Sequence, residues 1–235
     1  MEKNILILLL SLALLSSCDK ERLTKNIDLE TRKIELYHNE TKNIVAKSKL
    51  PIDYNSLNGF HAEVDNNGMV KGMYVGETRI KVSNTSDEKF VDVKVKPRHY
   101  LYNEPNVSFG ENKSSIIAKC GNPDNESDGG LTYLYEWASV NYVVLYLLDD
   151  NDILYAYSVM IPSEYYSRLT DFISERYKFI YYSNSRYYYI NSLDYENATK
   201  VVATSQYSAS YWMVLYMKKP QDKSIIDDIF KRIKL

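Results

Sequence analysis

The chain has 235 residues, with 29 lysines and arginines, 31 aspartates and glutamates, and a formal net charge of −2 at pH 7. Because such a chain creates no strong positive field, nucleic acid is not expected as a partner, whereas a hydrophobic fraction of 45% is enough for a globular core. Tyrosine is the outlier, with 23 Tyr against 6 Phe, and since its hydroxyl needs water or a polar partner, we expect many of these rings on half-exposed surfaces.

The amino terminus has the pattern of an export signal. Lys3 precedes an apolar run from Ile5 to Leu15, and the charged stretch Asp19-Lys20-Glu21-Arg22 begins soon after it. A helix that crosses a bilayer needs about 20 apolar residues, so this run is too short to span. The sequence therefore predicts a signal peptide over residues 1–17.

The residues Leu15-Ser16-Ser17-Cys18 resemble the lipobox of bacterial lipoproteins, in which a leucine stands three positions before the cysteine and small residues fill the gap. The resemblance implies that Cys18 carries the lipid and that the protein is anchored in the cell envelope, with the outer membrane as the expected membrane and its face left open. An ordinary secretory signal followed by a chance cysteine is the alternative. The polar residues 18–25 are predicted to form a flexible tether.

Short alternating runs of apolar and charged residues fill the stretch 26–97, which predicts strands with one buried and one solvated face. The clearest runs are 33–36, 78–82 and 91–96. Asn67-Gly68 lies between apolar neighbours and predicts a two-residue hairpin turn with positive φ at both residues. The pattern is typical of an all-β sandwich.

The stretch from His61 to Val82 resembles the group-2 bacterial immunoglobulin-like domains. Its Val64-Asp65, Asn67-Gly68-Met69-Val70 and Gly76-Glu77-Thr78-Arg79-Ile80 elements match the pattern of that family, whereas Tyr54-Asn55-Ser56 replaces the family's Trp-Ser-Ser. The resemblance implies an Ig-like sandwich over residues 26–97. Such domains serve as adhesins or as spacers, and a spacer is the preferred interpretation because no exposed motif stands out.

In residues 100–235, aromatic strand-like runs are interrupted by segments with helical spacing, which predicts a second domain with an α+β fold. Its helices are expected at 112–120, where Ile116, Ile117 and Cys120 share one side, at 163–176 with Ser163 as the cap, and near the end, where Ile225 to Ile233 form an apolar stripe. Strands are expected at 131–138, 142–148, 153–161, 178–182, 186–190, 200–207 and 211–218. The fold class is thus multi-domain, with helices on one face of an antiparallel sheet in the second part.

Tyr142 to Leu147 and Trp212 to Met217 match in residue type at every position, which indicates an internal duplication with repeats at 110–161 and 163–218 followed by a C-terminal helix. A helix-plus-sheet unit that occurs twice resembles β-lactamase-inhibitor-like folds and the small lipoproteins of outer-membrane assembly. A chance pattern is the alternative. The resemblance implies either enzyme-inhibitor activity or a structural role in an outer-membrane complex.

Strand alternation separates the side chains of these two segments into two faces. Leu145, Leu147, Leu215 and their neighbours are expected to meet the helices. The other face would be open and rich in tyrosine, and rigid aromatic side chains are what binding surfaces for proteins and glycans use. The predicted ligand-binding residues are Tyr142, Tyr146, Tyr155, Tyr157, Trp212 and Tyr216, joined by Tyr187 and Tyr189. Burial of these tyrosines under another layer is the alternative.

Catalytic and metal sites are weakly indicated. Asp149-Asp150-Asn151-Asp152 is a solvated turn in preference to a calcium loop. Glu136 beside Trp137 lacks a second carboxylate for glycoside hydrolysis, and Cys120 sits at the apolar end of a helix, which favours a structural thiol over a nucleophile paired with His99. His38, His61 and His99 lack the spacing of a zinc site. We therefore expect a non-enzymatic envelope lipoprotein without cofactor, which is held at the membrane by its lipid. It would present the tyrosine-rich domain to a protein or glycan. An enzyme is the alternative.

Overall fold

The computed structural model describes residues 24–220. Within this range the chain is mostly β-sheet, with seventeen strands in four sheets and two α-helices. All strand pairs are antiparallel except one, which confirms the expectation of a chain built largely from antiparallel sheet. The predicted signal peptide, Cys18 and the C-terminal helix lie outside the described residues.

Residues 28–96 form three small sheets around one core. The strands are β1 (Asp28–Leu29), β2 (Lys33–Tyr37), β3 (Thr41–Asn43), β4 (Ala46–Lys47), β5 (Asp53–Ser56), β6 (Ala62–Val64), β7 (Met69–Gly72), β8 (Gly76–Ser83) and β9 (Glu88–Lys96). The sheet orders are β2-β9-β8-β5, β3-β7-β6 and β1-β4, and β2 pairs in parallel with β9. Alternate aliphatic residues of these strands are buried together, among them Leu36, Val70, Ile80, Val91 and Val93.

The turn at Asn67-Gly68 differs from the prediction. Val64 pairs with Val70, and the loop between β6 and β7 is longer than two residues. The Asp65 carboxylate accepts hydrogen bonds from the backbone N–H groups of Asn67 at 2.9 Å and Met69 at 2.8 Å. Only Gly68 has positive φ, at 79°, because the aspartate side chain closes the loop and the tight two-residue turn is not needed.

Residues 113–218 form one eight-stranded antiparallel sheet with two helices. The elements are α1 (Lys113–Cys120), β10 (Asn125–Ser127), β11 (Gly130–Trp137), β12 (Val140–Leu148), β13 (Leu154–Pro162), α2 (Tyr166–Ser174), β14 (Lys178–Ser183), β15 (Arg186–Ile190), β16 (Lys200–Gln206) and β17 (Tyr211–Lys218). The strand order is β10-β11-β12-β13-β17-β16-β15-β14. Two-residue turns at Ala138-Ser139 and Asn184-Ser185 have positive φ at both residues, as type I′ hairpins require.

β13 and β17 are neighbours at the centre of the sheet, and three further strands lie on the outer side of each. Each half consists of one helix followed by a four-stranded meander. By position in this order, β17 corresponds to β13. The two similar segments Tyr142–Leu147 and Trp212–Met217 are instead β12 and β17, which flank β13 on its two sides. The two similar segments therefore do not occupy equivalent positions in the two halves.

Both helices pack on the same face of this sheet. Asn112 caps α1 by accepting the backbone N–H of Ser115 at 2.9 Å, and Ile116 is its buried residue. A short 3₁₀ turn over Ser163–Tyr165 precedes α2, whose buried side chains are Leu169, Phe172 and Ile173. The predicted cap by Ser163 is wrong, since its hydroxyl is buried without a hydrogen-bond partner. The turn begins one residue after the strand, so Ser163 points inward and not at the helix start.

Candidate functional site

The predicted open tyrosine face is wrong. Tyr142, Tyr146, Tyr157 and Tyr216 are all 5% exposed or less, and they share one hydrophobic core with Ile116 of α1 and Leu169, Phe172 and Ile173 of α2. Tyr189 is 8% exposed and belongs to the same core. The described helices thus cover the tyrosine side of the sheet, and these rings are core and not surface.

Three hydroxyls of this core bond to one another or to one carboxylate. Glu104, in the segment that joins β9 to α1, accepts hydrogen bonds from the hydroxyls of Tyr177 at 3.0 Å and Tyr216 at 3.1 Å. The hydroxyl of Tyr102 bonds in turn to that of Tyr216. Buried hydroxyls with partners avoid the cost of desolvation, so tyrosine can replace phenylalanine in this core.

The same surroundings keep these phenols protonated. Burial, and next to it the negative charge of Glu104, raises the pKa of Tyr102, Tyr177 and Tyr216 well above the usual value of a tyrosine. Burial likewise raises the pKa of Tyr135 to about 12. The cluster is therefore an uncharged hydrogen-bonded core around one carboxylate at ordinary pH.

Tyr155 lies on the opposite side of the sheet from Tyr157, although alternation places them together. The register shifts where Leu147 pairs with Ala156 and Leu148 pairs with Leu154, so that Tyr155 is an extra residue without a direct partner. A bulge of this kind reverses the face of every side chain on one side of it. Tyr155 is half-buried and packs beside Leu147 and Ala156 on the side away from the helices.

A different set of aromatic rings reaches solvent, at the end of the sheet where β14 is the outermost described strand. Phe179 is 50% exposed, Tyr182 is 56% and Tyr166 is 39%, while Tyr187 and Trp212 are half-buried. We call these five residues the aromatic surface. Of the sequence-predicted binding residues, it contains Trp212 and the additional candidate Tyr187.

The rings of the aromatic surface hold one another in place. Tyr166 of α2 stacks on Trp212 of β17 with centroids 4.2 Å apart, and Tyr182 packs on its cross-strand neighbour Tyr187 at 4.7 Å. Phe179 lies 6.5 Å from Tyr187. The hydrogen bond between the hydroxyls of Tyr187 and Tyr166 raises the pKa of Tyr187. Side chains fixed in this way lose little conformational freedom when a partner binds.

Two concavities border the eight-stranded sheet. A cleft of about 50 Å³ lies between α2 and the sheet, lined by Tyr166, Leu169, Tyr187 and others, and it is much smaller than the several hundred Å³ of typical ligand sites. A groove of about 790 Å³ at the start of β13 is large enough but open, and it is lined by five carboxylates and Lys113. Across residues 24–220, no group of three or more His, Cys, Asp or Glu side chains is arranged to hold a metal ion.

The predicted turn at Asp149 is confirmed. Its Oδ1 atom accepts the backbone N–H groups of Asn151 at 2.9 Å and Ile153 at 3.0 Å, so this oxygen closes the turn between β12 and β13. The other residues weighed for chemistry lie apart. Glu136 is exposed near the end of β11, the Cys120 thiol lies 3.5 Å from the hydroxyl of Tyr146, and the His99 ring lies 3.9 Å from Asp171.

No protein-family model matches the sequence, and no curated protein matches it. Among the described residues, no helix is both long enough and apolar enough to cross a bilayer.

Proposed function

We propose that the protein is a non-enzymatic lipoprotein of the cell envelope that binds a partner protein through its aromatic surface. The observation that carries this proposal is the exposure of Phe179 and Tyr182 on the outermost described strand, next to the stacked pair Tyr166 and Trp212. Large rings that stay in contact with water in the free protein, and that are already fixed by neighbours, are typical of the centres of protein interfaces.

The stacking favours a protein over a glycan as the partner. A sugar ring would need the flat face of an aromatic side chain, and one face of Trp212 is covered by Tyr166, while Tyr182 and Tyr187 are packed together. The rings that stay most exposed are Phe179 and Tyr182 on β14. Exposed aromatic side chains with half-buried apolar neighbours suit the side chains of another polypeptide.

The two ends of the eight-stranded sheet also differ. At one end β10 consists of three exposed polar residues, Asn125, Glu126 and Ser127, which is a short and charged edge of the kind that discourages pairing with another chain. At the other end β14 has six residues, and Phe179 and Tyr182 are exposed on it. An aromatic edge strand is a common place for a partner's extended segment to dock.

The remainder of the proposal follows from resemblance. Residues 26–97 resemble the group-2 Ig-like domains, and the sequence around Cys18 resembles a lipobox, so the N-terminal sheets would serve as a spacer between a lipid anchor at Cys18 and the aromatic surface. Metabolic labelling with a palmitate analogue tests the anchor. Wild-type protein should be labelled and a Cys18→Ser variant should not, and equal labelling of both would refute lipidation at Cys18.

The binding proposal predicts that Tyr182→Ala and Trp212→Ala each weaken partner binding by about 30-fold or more, since central aromatic residues of interfaces contribute about 2 kcal/mol or more each. A photo-crosslinking residue at position 179 in the envelope would identify the partner, and titration of that partner would give the affinities. Tyr100→Ala is the matched control, because Tyr100 is 58% exposed but lies outside the aromatic surface.

The comparison has clear opposite outcomes. Equal affinity of the Tyr182→Ala, Trp212→Ala and Tyr100→Ala variants would remove the aromatic surface from the proposal. A glycan array with the same variants covers the second class of partner. Capture of a defined glycan by the wild type, with loss in Trp212→Ala, would replace the protein partner with a sugar.

A further inference from the structure

The groove of about 790 Å³ at the start of β13 lies on the side of the sheet that faces away from α1 and α2. Its floor includes Leu145 and Leu147 of β12, whereas the alternate residues Val144 and Tyr146 belong to the core under the helices. Gly130 of β11 pairs with Leu147, and a Cβ atom there would already lie 3.3 Å from the Leu145 side chain. Because Gly130 has no side chain, the space above this floor stays open. We call this concavity the β12 groove.

Apolar side chains continue from the β12 groove along the same side of β12. Val143 follows Leu145 in the alternation of that strand, and its cross-strand neighbours are Leu134 of β11 and Met160 of β13. Leu134 is 62% exposed, and Val143 and Met160 are half-buried. The stripe from Leu147 to Val143 is about 13 Å long at roughly 3.3 Å per residue. An exposed apolar stripe that continues a groove is typical of a surface that another molecule covers.

The rim of the β12 groove is strongly negative. Its charged residues are Glu126, Asp128, Asp149, Asp150, Asp152 and Lys113. Five carboxylates and one ammonium group give the groove a formal charge of −4, whereas the whole chain carries −2. Lys113 is already bonded to Glu126, and within residues 24–220 no salt bridge includes Asp128, Asp150 or Asp152. Carboxylates that line a concave surface attract cations more strongly than the same charges on a flat surface.

An apolar floor below a negative rim fits the side chain of lysine or arginine. Both have an apolar stem, which here can pack on Leu145 and Leu147, and a charged end, which here reaches the carboxylates of the rim. The half-buried ring of Tyr155 also lines the groove, and aromatic rings attract cations. Among the binding residues that the sequence predicts, Tyr155 is the one that lies in this groove.

Other cations fit this surface less well. A metal ion has no use for the apolar floor, and across residues 24–220 no group of three or more His, Cys, Asp or Glu side chains is arranged to hold one. A small polyamine would reach the carboxylates but would leave Leu134 and Val143 in contact with water. A polypeptide can supply a basic side chain and apolar side chains on one side of an extended segment.

We propose that the β12 groove binds an extended segment of another polypeptide, with a lysine or arginine in the groove and apolar residues on the stripe that ends at Leu134 and Val143. In an extended segment every second side chain faces the sheet, at intervals of about 7 Å. The basic residue is therefore followed by apolar residues two and four positions further on. The β12 groove and the aromatic surface lie towards opposite ends and on opposite sides of the sheet, so each can be occupied independently of the other.

The peptide acetyl-Lys-Ser-Leu-Ser-Leu, with a fluorophore at its carboxyl end, tests this proposal by fluorescence anisotropy with the full-length protein. Asp128→Asn and Asp150→Asn combined should weaken binding about tenfold, because two exposed ion pairs are lost. Leu134→Ser should weaken it about fivefold through the loss of apolar contact. The matched controls are Asp171→Asn and Leu57→Ser, at side chains that are also exposed but lie outside the groove. Both controls should bind the peptide as the wild type does.

Changes in the peptide provide a second comparison, which needs no variant of the protein. With glutamate in place of its lysine the peptide should bind at least about tenfold more weakly, because the rim repels it. With serine in place of both leucines it should bind at least about fivefold more weakly. Absence of binding by the lysine peptide, or equal binding of the three peptides, would overturn the proposal.

Two further outcomes also count against it. Equal binding by the wild type and the Asp128→Asn, Asp150→Asn protein would mean that the peptide lies elsewhere, and displacement of the peptide by an equimolar amount of spermidine would assign the groove to a small polycation. Tyr182→Ala and Trp212→Ala should bind the peptide as the wild type does. Failure of the aromatic surface in its own test therefore leaves this proposal standing, and the reverse also holds.

Discussion

Raising the pH above about 10 should unfold this protein steeply, at a pH where ordinary globular proteins lose stability gradually. A buried phenol with a raised pKa keeps its proton in the folded state, while in the unfolded chain it ionises with a pKa of about 10. The folded state therefore binds more protons above pH 10, and stability falls as pH rises. The contribution is fully present below pH 10 and is lost progressively towards the higher folded pKa.

The size of the effect follows from the number of such groups. Tyr102, Tyr177 and Tyr216 are at most 5% exposed, and their pKa values are raised well above the usual one by burial and then by Glu104. Above pH 10, each of these tyrosines lowers the free energy of unfolding by about 1.4 kcal/mol per pH unit. The three together lower it by about 4 kcal/mol per pH unit. That is a large share of the roughly 5–15 kcal/mol by which a domain is stable.

Urea unfolding at pH 8, 9.5, 10.5 and 11 gives the slope, and absorbance at 295 nm counts the tyrosinates that form. Tyr216→Phe should reduce the slope by about 1.4 kcal/mol per pH unit, since it removes one ionisable group from the core. Tyr100→Phe is the control at an exposed position and should leave the slope unchanged. Lysine deprotonation affects all three proteins equally. Ionisation of all tyrosines in one step near pH 10, with the fold intact, would contradict the buried cluster.

Apart from β10, the strands and helices in residues 112–218 could be placed approximately from the sequence, because alternation and turn residues are local signals. Ala138-Ser139 and Asn184-Ser185 stand between runs of alternating side chains, and Gly121 and Pro123 follow the first helix. What could not be predicted was which face of the sheet the described helices cover. Alternation separates the side chains of β12 and β17 into two sets but does not state which set meets a helix.

A signal for the burial of both faces was nevertheless present. β12 and β17 are apolar or aromatic at nearly every position, as in Val143-Val144-Leu145 and Met213-Val214-Leu215, and strands of this kind are covered on both sides. The interpretation of tyrosine as a surface residue outweighed this signal. That interpretation was wrong because Glu104 accepts hydrogen bonds from the buried tyrosine hydroxyls, and the residues that form these bonds are distant in sequence.

The aromatic surface was missed for a different reason. Phe179 and Tyr182 are three residues apart, which in a regular strand would place them on opposite faces. The register shift between Phe179 and Tyr181 makes Ile180 the extra residue, so Phe179 and Tyr182 stand on the same side as Tyr187. A bulge has no local sequence signature of this kind, and only the pairing of β14 with β15 reveals it.

Replacing Glu175 by alanine should destabilise the protein by about 3–5 kcal/mol, because the residue is a buried charge with several partners. Its carboxylate is 4% exposed, lies 2.6 Å from the guanidinium of Arg176, and accepts the backbone N–H groups of Arg98 at 3.0 Å and His99 at 3.1 Å. The backbone carbonyl of Glu175 also accepts the N–H of Val75 at 2.8 Å. One residue at the end of α2 thus connects this helix with the N-terminal sheets and the segment after β9.

The alanine variant leaves the 13% exposed Arg176 guanidinium without its counter-charge and two backbone donors without an acceptor. Glu175→Gln retains one acceptor oxygen and should lose about 2 kcal/mol. Asp171→Ala is the control on the same helix, because that carboxylate is 54% exposed and only 3.9 Å from His99, and it should cost less than about 1 kcal/mol. Urea unfolding of the three variants at pH 7 gives these differences. A loss for Glu175→Ala no greater than that for Asp171→Ala would show that the junction between the sheets does not depend on this carboxylate.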